Sequence, residues 1–132
     1  MQFALNVCTL MASEKTVLIV DDSRISRMMT KAFIHSLFPG WEVAEAASGE
    51  EALQKAPTLD APLILMDVNM PGMGGMAAAE QLRKLCPGSQ ITLLTANVQD
   101  ATRNKARTMG VGFLEKPVTE ERIHKLISAW SN

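Results

Sequence analysis

Leu63-Ile64-Leu65-Met66-Asp67-Val68-Asn69-Met70-Pro71-Gly72-Met73-Gly74-Gly75 decides how this chain is read. Four apolar residues without polar alternation are the pattern of a strand buried on both faces, as in parallel sheets. Asp67 stops the run, a Pro/Gly-rich loop follows, and a helix is predicted from Met76 to about Leu85, broken by Pro87-Gly88. The same grammar recurs on both sides. Thr16–Val20 is a β-branched run stopped by Asp21-Asp22, and Ser23 can cap a helix with Ile25, Met28, Met29, Ala32 and Phe33 on one apolar stripe. Pro39-Gly40 ends that unit. Trp41–Ala46 alternates like a half-buried strand, and Ser48-Gly49-Glu50-Glu51 has capping-box spacing for a helix to about Ala56, stopped by Pro57. Ile91–Leu94 leads to Thr95, Ala96 and Asn97, then a helix from about Gln99 to Met109. A short strand, Gly112–Glu115, runs into Lys116-Pro117, and Thr119 caps a last helix to about Trp130.

The order is βαβαβαβαβα with short turns, which predicts an α/β fold: a doubly wound, five-stranded parallel sheet with helices on both faces. At 132 residues the chain suits one domain, large enough to hold a core without staples. The organised part is expected over 15–130, with tails at 1–14 and 131–132. The first twelve residues carry no charge and lack the positive start and long apolar region of a secretion signal. Cys8 and Cys86 form no framework or metal-ligand spacing, so reduced thiols in a cytoplasmic protein are expected. No apolar run approaches the ~18 residues of a membrane span. A net charge of -1 gives no electrostatic support for direct nucleic-acid binding. Nine Met with 20% charged residues suggest some adaptable apolar surface.

In such sheets ligands sit outside the carboxyl ends of the strands. The residues standing there are Asp21, Asp22, Asp67, Thr95 and Lys116. Three converging carboxylates repel one another and call for a cation. Oxygen ligands with no Cys or His nearby favour a hard ion such as Mg²⁺, whose natural co-ligand is phosphate. Lys116 and the Thr95 hydroxyl can each meet a phosphoryl oxygen, and a carboxylate can itself become an acyl phosphate. There is no P-loop motif and no G-x-G-x-x-G after the first strand.

VLIVDDS (17–23), LILMDVNMPGMGG (63–75), LLTAN (93–97) and FLEKP (113–117) together closely resemble the receiver domain of two-component response regulators. The resemblance implies a flavodoxin-like fold with strand order 2-1-3-4-5 and a phosphoacceptor switch rather than an enzyme. Asp67 would take a phosphoryl group from the phosphohistidine of a histidine kinase or histidine phosphotransfer protein. Asp21, Asp22, Asp67 and the backbone carbonyl of Asn69 would hold Mg²⁺. Thr95 and Lys116 would meet the phosphoryl group, Thr95 and Phe113 would form the switch, and Asn69 and Asn97 would tune hydrolysis. Output would pass through the fourth helix, fifth strand and fifth helix (α4-β5-α5) to a protein target, as in chemotaxis, from a monomer or a phosphorylation-dependent dimer. Phe113 has no hydroxyl where many relatives carry Tyr, so only the packing part of an aromatic switch is available.

Some residues carry weaker signals. His35 and His124 read as surface helix residues, and Trp41 and Trp130 as packing residues. Met70, Met73 and Met76 are either loop packing or a docking surface for the phosphodonor. Arg103, Lys105 and Arg107 form a solvated or partner-binding helix face. Two rivals to a stand-alone switch remain: a receiver excised from a longer regulator, and a phosphohydrolase with an Asp nucleophile. Asn69 weakens the second, because it cannot protonate a leaving group.

Overall fold

The computed structural model describes residues 15–96 and 100–131. Ten elements follow one another: β1 (Thr16–Val20), α1 (Arg24–Leu37), β2 (Glu42–Ala46), α2 (Gly49–Leu59), β3 (Leu63–Asp67), α3 (Gly74–Leu85), β4 (Gln90–Thr95), α4 (Asp100–Met109), β5 (Gly112–Glu115) and α5 (Glu120–Ser131). The strands form one parallel sheet in the order β2-β1-β3-β4-β5. Strand order and strand direction agree with expectation.

Successive side chains of a strand point to opposite faces, and the core divides accordingly. Val17, Ile19, Leu63, Leu65 and Leu94 pack with Ile34 of α1 and Ile123 and Ile127 of α5. Leu18, Val20, Ile64, Met66 and Leu93 pack with alanines of α2 and α3, Leu82 of α3, and Ala106 and Met109 of α4. β1 and β3 are buried at every position, which is why their sequences are unbroken apolar runs. Trp41 lies just before β2 and is buried in the first layer. Among the described residues no helix is long and apolar enough to cross a membrane.

Two local expectations are corrected. The apolar stripe expected to bury α1 faces solvent: Ile25, Met28 and Met29 are 71%, 59% and 52% exposed, and Ala32 is exposed as well. The helix instead buries Thr30 and Ile34, with Phe33 and Leu37 packed beside them. The cause is polar. Arg27 lies on the inward side and binds the Asp21 carbonyl and Glu45, which sets the rotation of the helix about its axis. In α2, Pro57 does not stop the helix, which continues to Leu59. Pro57 has no N–H to give, but Thr58 Oγ1 donates to the Lys55 carbonyl and the N–H of Asp60, in the left-handed region at φ 50°, closes on Ala56. The other caps form as expected: Ser23 Oγ accepts from Ser26 N–H, Ser48 Oγ from Glu51 N–H, and Thr119 Oγ1 from Arg122 N–H. α3 begins at Gly74, two residues before the predicted start. The expected tail at 1–14, Cys8, Asn97 and the helix start at Gln99 lie outside the described residues, as does the side chain of Trp130.

Candidate functional site

β1 and β3 are neighbours at the centre of the sheet, so the residues that end them meet. Asp67 is the last residue of β3 and only 4% exposed, and Asp21, next after β1, is 3% exposed. Asp22 is exposed. One carboxylate oxygen from each of Asp21, Asp22 and Asp67 lies within 4.8 Å of the others. Lys116, two strands away along the sheet, brings its Nζ to 3.3 Å from Asp67 Oδ1 and 3.4 Å from Asp21 Oδ2. Thr95 ends β4, is 2% exposed, and accepts the Lys116 N–H at its carbonyl, 2.7 Å. Thus Asp21, Asp22, Asp67, Thr95 and Lys116 share one sheet edge.

The acids are fixed by further bonds. Asp21 Oδ1 accepts from Ser23 N–H at 2.9 Å, and the Asp21 carbonyl accepts from Arg27 Nη1 at 2.6 Å. Arg27 Nε in turn binds Glu45 at 3.0 Å. Asp67 Oδ1 accepts from Asn69 N–H at 3.2 Å, a local turn that leaves the Asn69 side chain in solvent. Burial pushes the Asp67 carboxyl above its ordinary range. The Lys116 ammonium and the Asn69 N–H pull it back, while the Asp21 charge pushes it further up. Lys116 is carried on a short segment that Arg122 of α5 holds through the carbonyls of Glu115 and Pro117, at 2.6 and 3.0 Å. The Lys116–Pro117 peptide bond is cis.

Gly75 has a sharper task than turning the chain. A Cβ there would lie 2.0 Å from the Asp67 carbonyl oxygen, so the first turn of α3 can press against the end of β3 only without a side chain. Gly72 and Gly74 do adopt turn conformations, at φ +82° and +78°. Glu50, at the start of α2, accepts from Met73 N–H at 3.0 Å and ties down the same loop. Arg27, Glu45, Glu50, Arg122 and the close approach at Gly75 were not found by sequence reasoning. Arg27–Glu45 and Glu50–Met73 join residues distant in sequence, and the contacts of Arg122 and Gly75 depend on how a loop folds back; only the placement of Arg27 one turn into the helix after the acidic pair offered a hint.

The remaining candidates divide. Met70 is buried, and Met73 and Met76 pack against the core, which favours loop packing over a free docking surface. His124 is exposed and stacks on Phe38, with ring centroids 5.8 Å apart, and His35 is exposed. Neither belongs to the acidic cluster. Lys105 pairs with Glu80, Arg107 is exposed, and Arg103 lies over the half-buried Phe113 ring. Cys86 is a half-buried free thiol pushed upward by burial, which keeps it protonated. A cavity of about 320 Å³ opens beside the acids between α1 and the segment after β5, lined by Asp21, Met29, Lys116, Pro117 and Val118.

The profile of the response regulator receiver domain matches residues 17–128. The chain belongs to that family. It is 38% identical to the chemotaxis protein CheY of Thermotoga maritima over 111 residues, covering 83% of this chain and 91% of that protein. It is 32% identical to the autoinducer 1 sensor kinase/phosphatase LuxN of Vibrio campbellii, covering 89% of this chain but 14% of the length of that relative. Among solved structures, CheY4 of Vibrio cholerae superposes with a TM-score of 0.80 at 32% identity, over 88% of this chain and 98% of that one. Receiver domains are phosphoacceptor signalling domains and bind Mg²⁺ at an acidic pocket. The cluster in this receiver fits such an ion. It offers only carboxylate oxygens, and two of the three acids are buried, a charge density that Lys116 alone does not neutralise.

Proposed function

We propose that this receiver is a phosphoacceptor switch in which Asp67 takes a phosphoryl group from the phosphohistidine of a histidine kinase or histidine phosphotransfer protein. The observation that carries the reading is the convergence of Asp67 with Asp21, Asp22 and Lys116 at one edge of the sheet. In the transfer, an Asp67 carboxylate oxygen forms a bond to phosphorus as the P–N bond of the donor breaks. The electron pair goes to the imidazole nitrogen, which takes a proton from solvent. Asp21, Asp22, Asp67 and the Asn69 carbonyl would hold Mg²⁺, which when bound offsets the charge of the phosphoryl oxygens. Lys116 is already within reach of the Asp67 carboxylate and supplies a second positive charge. Thr95 donates its hydroxyl to a phosphoryl oxygen.

The donor approaches from the open side of the site. There Met29 of α1 lines the cavity beside Asp21 and Lys116, and Ile25 and Met28 of the same helix are exposed, an apolar surface suited to a helix that carries the phosphohistidine. Output runs through α4, β5 and α5 to a protein target, with Thr95 and Phe113 as the moving parts and Asn69 and Asn97 setting the hydrolysis rate. The domain works in the cytoplasm as a monomer or a phosphorylation-dependent dimer, with residues 15–130 as the working unit. The likeness to CheY over most of that protein supports a stand-alone switch. The likeness to a short part of LuxN supports a second reading, a receiver within a longer signalling chain.

Asp67→Asn should abolish acid-labile phosphorylation by a cognate phosphohistidine donor. Full labelling of that variant would overturn the assignment.

A further inference from the structure

Phe113 stands at a junction. It pairs with Leu93 along β5, two residues before the Glu115 that pairs with Thr95. Its half-buried ring packs on the layer containing Ala106 and Met109 of α4. One turn before Ala106, the guanidinium carbon of Arg103 lies over that ring, 5.9 Å from its centroid. Arg103 is exposed and its guanidinium meets the ring, whereas Lys105, two residues on, pairs with Glu80. A phenyl ring has no hydroxyl, so hydrogen bonding cannot hold it in either of two positions. The negative face of the ring is its only polar handle, and a guanidinium above that face is attracted to it.

We propose that Arg103 is a positioning residue for the switch: it holds the Phe113 ring toward α4 and so favours the unphosphorylated form. This rests on the phosphoacceptor reading, in which Phe113 turns toward Thr95. The Arg103 contact exists only while the ring stays out, so it acts on one side of the equilibrium and opposes activation. Removing the guanidinium shifts the balance toward the inward form. A ligand selective for that form then binds more tightly, because less of its binding free energy is spent on moving the ring.

The test is calorimetric titration of the full chain with beryllofluoride and Mg²⁺, for wild type, Arg103→Gln and Arg103→Lys, each also in a Phe113→Leu background. An exposed cation–π contact predicts about two- to five-fold tighter binding for Arg103→Gln. Arg103→Lys should show a smaller gain, and the effect should vanish when Phe113 is Leu. A second readout needs no ligand. In the metal-free protein the Arg103 side-chain proton resonances should be displaced upfield by the ring current of Phe113, and Phe113→Leu should abolish the displacement. Equal affinity of wild type and Arg103→Gln, the same gain in both backgrounds, or undisplaced Arg103 resonances would overturn the proposal and leave the phosphoacceptor reading intact. Failure of the wild type to bind beryllofluoride would overturn that reading, and the proposal with it.

Discussion

The ends of β1 and β3 and the ends of β4 and β5 share one edge of the sheet, but they are held in different ways. Asp21 follows and Asp67 ends a strand buried at every position; Arg27 binds the Asp21 carbonyl, Ser23 N–H binds the Asp21 carboxylate, and the first turn of α3 presses on the Asp67 carbonyl. β5 is an edge strand of four residues, none fully buried, and Phe113 is held by packing and by a guanidinium over its ring. The contrast separates two physical demands. A cluster of like charges needs a rigid frame, because a carboxylate that drifts loses its ligand geometry and its neighbours push it away. A switch needs two positions of similar free energy, which a strand with one open side permits. On this view the central end should be intolerant of small changes and the outer end tolerant of them.

The largest expected effect is at the centre. Gly75→Ala puts a methyl group where the Asp67 carbonyl already stands, and the other partner is backbone rather than a flexible side-chain tip. Relief requires α3 to move away from β3. The expected cost is about 3 kcal/mol, at the upper end of overpacking effects, with a loss of Mg²⁺ affinity in whatever remains folded. Urea unfolding and a metal titration would measure both. A substitution tolerated within about 0.5 kcal/mol would mean that the central end is as pliable as the outer one.

How much of this was legible beforehand follows from the same contrast. The polar residues at strand ends could be read because each interrupts an apolar run that has to be a buried strand: Val20 to Asp21, Met66 to Asp67, Leu94 to Thr95. Fold class, strand order and the membership of the site follow from those interruptions and from the resemblance they carry. The inward face of α1 was not legible. A rule that seeks apolar stripes chooses Ile25, Met28 and Met29, whereas the helix turns Arg27 and Thr30 inward, Arg27 reaching Asp21 after β1 and Glu45 on β2. Pro57 misled for a similar reason: the bond it forfeits lies near the end of a helix, where a threonine hydroxyl and a left-handed Asp60 finish the turn. Glu50 and Arg122 bind backbone groups across turns and loops, and residue type does not announce such bonds.

A second experiment asks what the rigid centre costs. Burial and the nearby Asp21 charge raise Asp67 above its ordinary 3.8, against the pull of Lys116. The folded state therefore holds the Asp67 proton more tightly than the unfolded state does. As pH rises from 3.8 through the folded value, the unfolded state releases its proton first, and folding stability falls across that window. Above the window the penalty is constant. In metal-free protein at neutral pH, Asp67→Asn should therefore have a higher Tm than wild type, and the gap should close as pH falls toward 3.8. Added Mg²⁺ should raise the wild-type Tm and leave the variant nearly unmoved. Equal Tm values across the pH range would show that the frame carries no electrostatic strain.

The smallest expected effect lies under the switch. Thr92 is a core residue of β4, 1% exposed, and its Oγ1 has no hydrogen-bond partner among the described residues. It faces Gly112, where a Cβ would come within 2.9 Å of that hydroxyl, so the outer strand fits closely against a polar atom that gains nothing from its surroundings. Thr92→Val keeps the branched shape and removes the unsatisfied group. Leaving a hydroxyl buried and unpaired costs about 1–3 kcal/mol, and part of this is recovered when a methyl group takes its place, so a gain of about 1 kcal/mol is expected. The functional consequence distinguishes two kinds of looseness at the outer end. If β5 moves as a unit when Phe113 turns, a tighter seam between Thr92 and Gly112 should weaken beryllofluoride binding along with the gain in stability. If only the ring moves, stability should rise while affinity stays the same, because β4 and β5 keep their register whichever way Phe113 points. Measuring Tm and affinity on the one variant therefore locates the soft part of the edge, in the strand itself or in a single side chain.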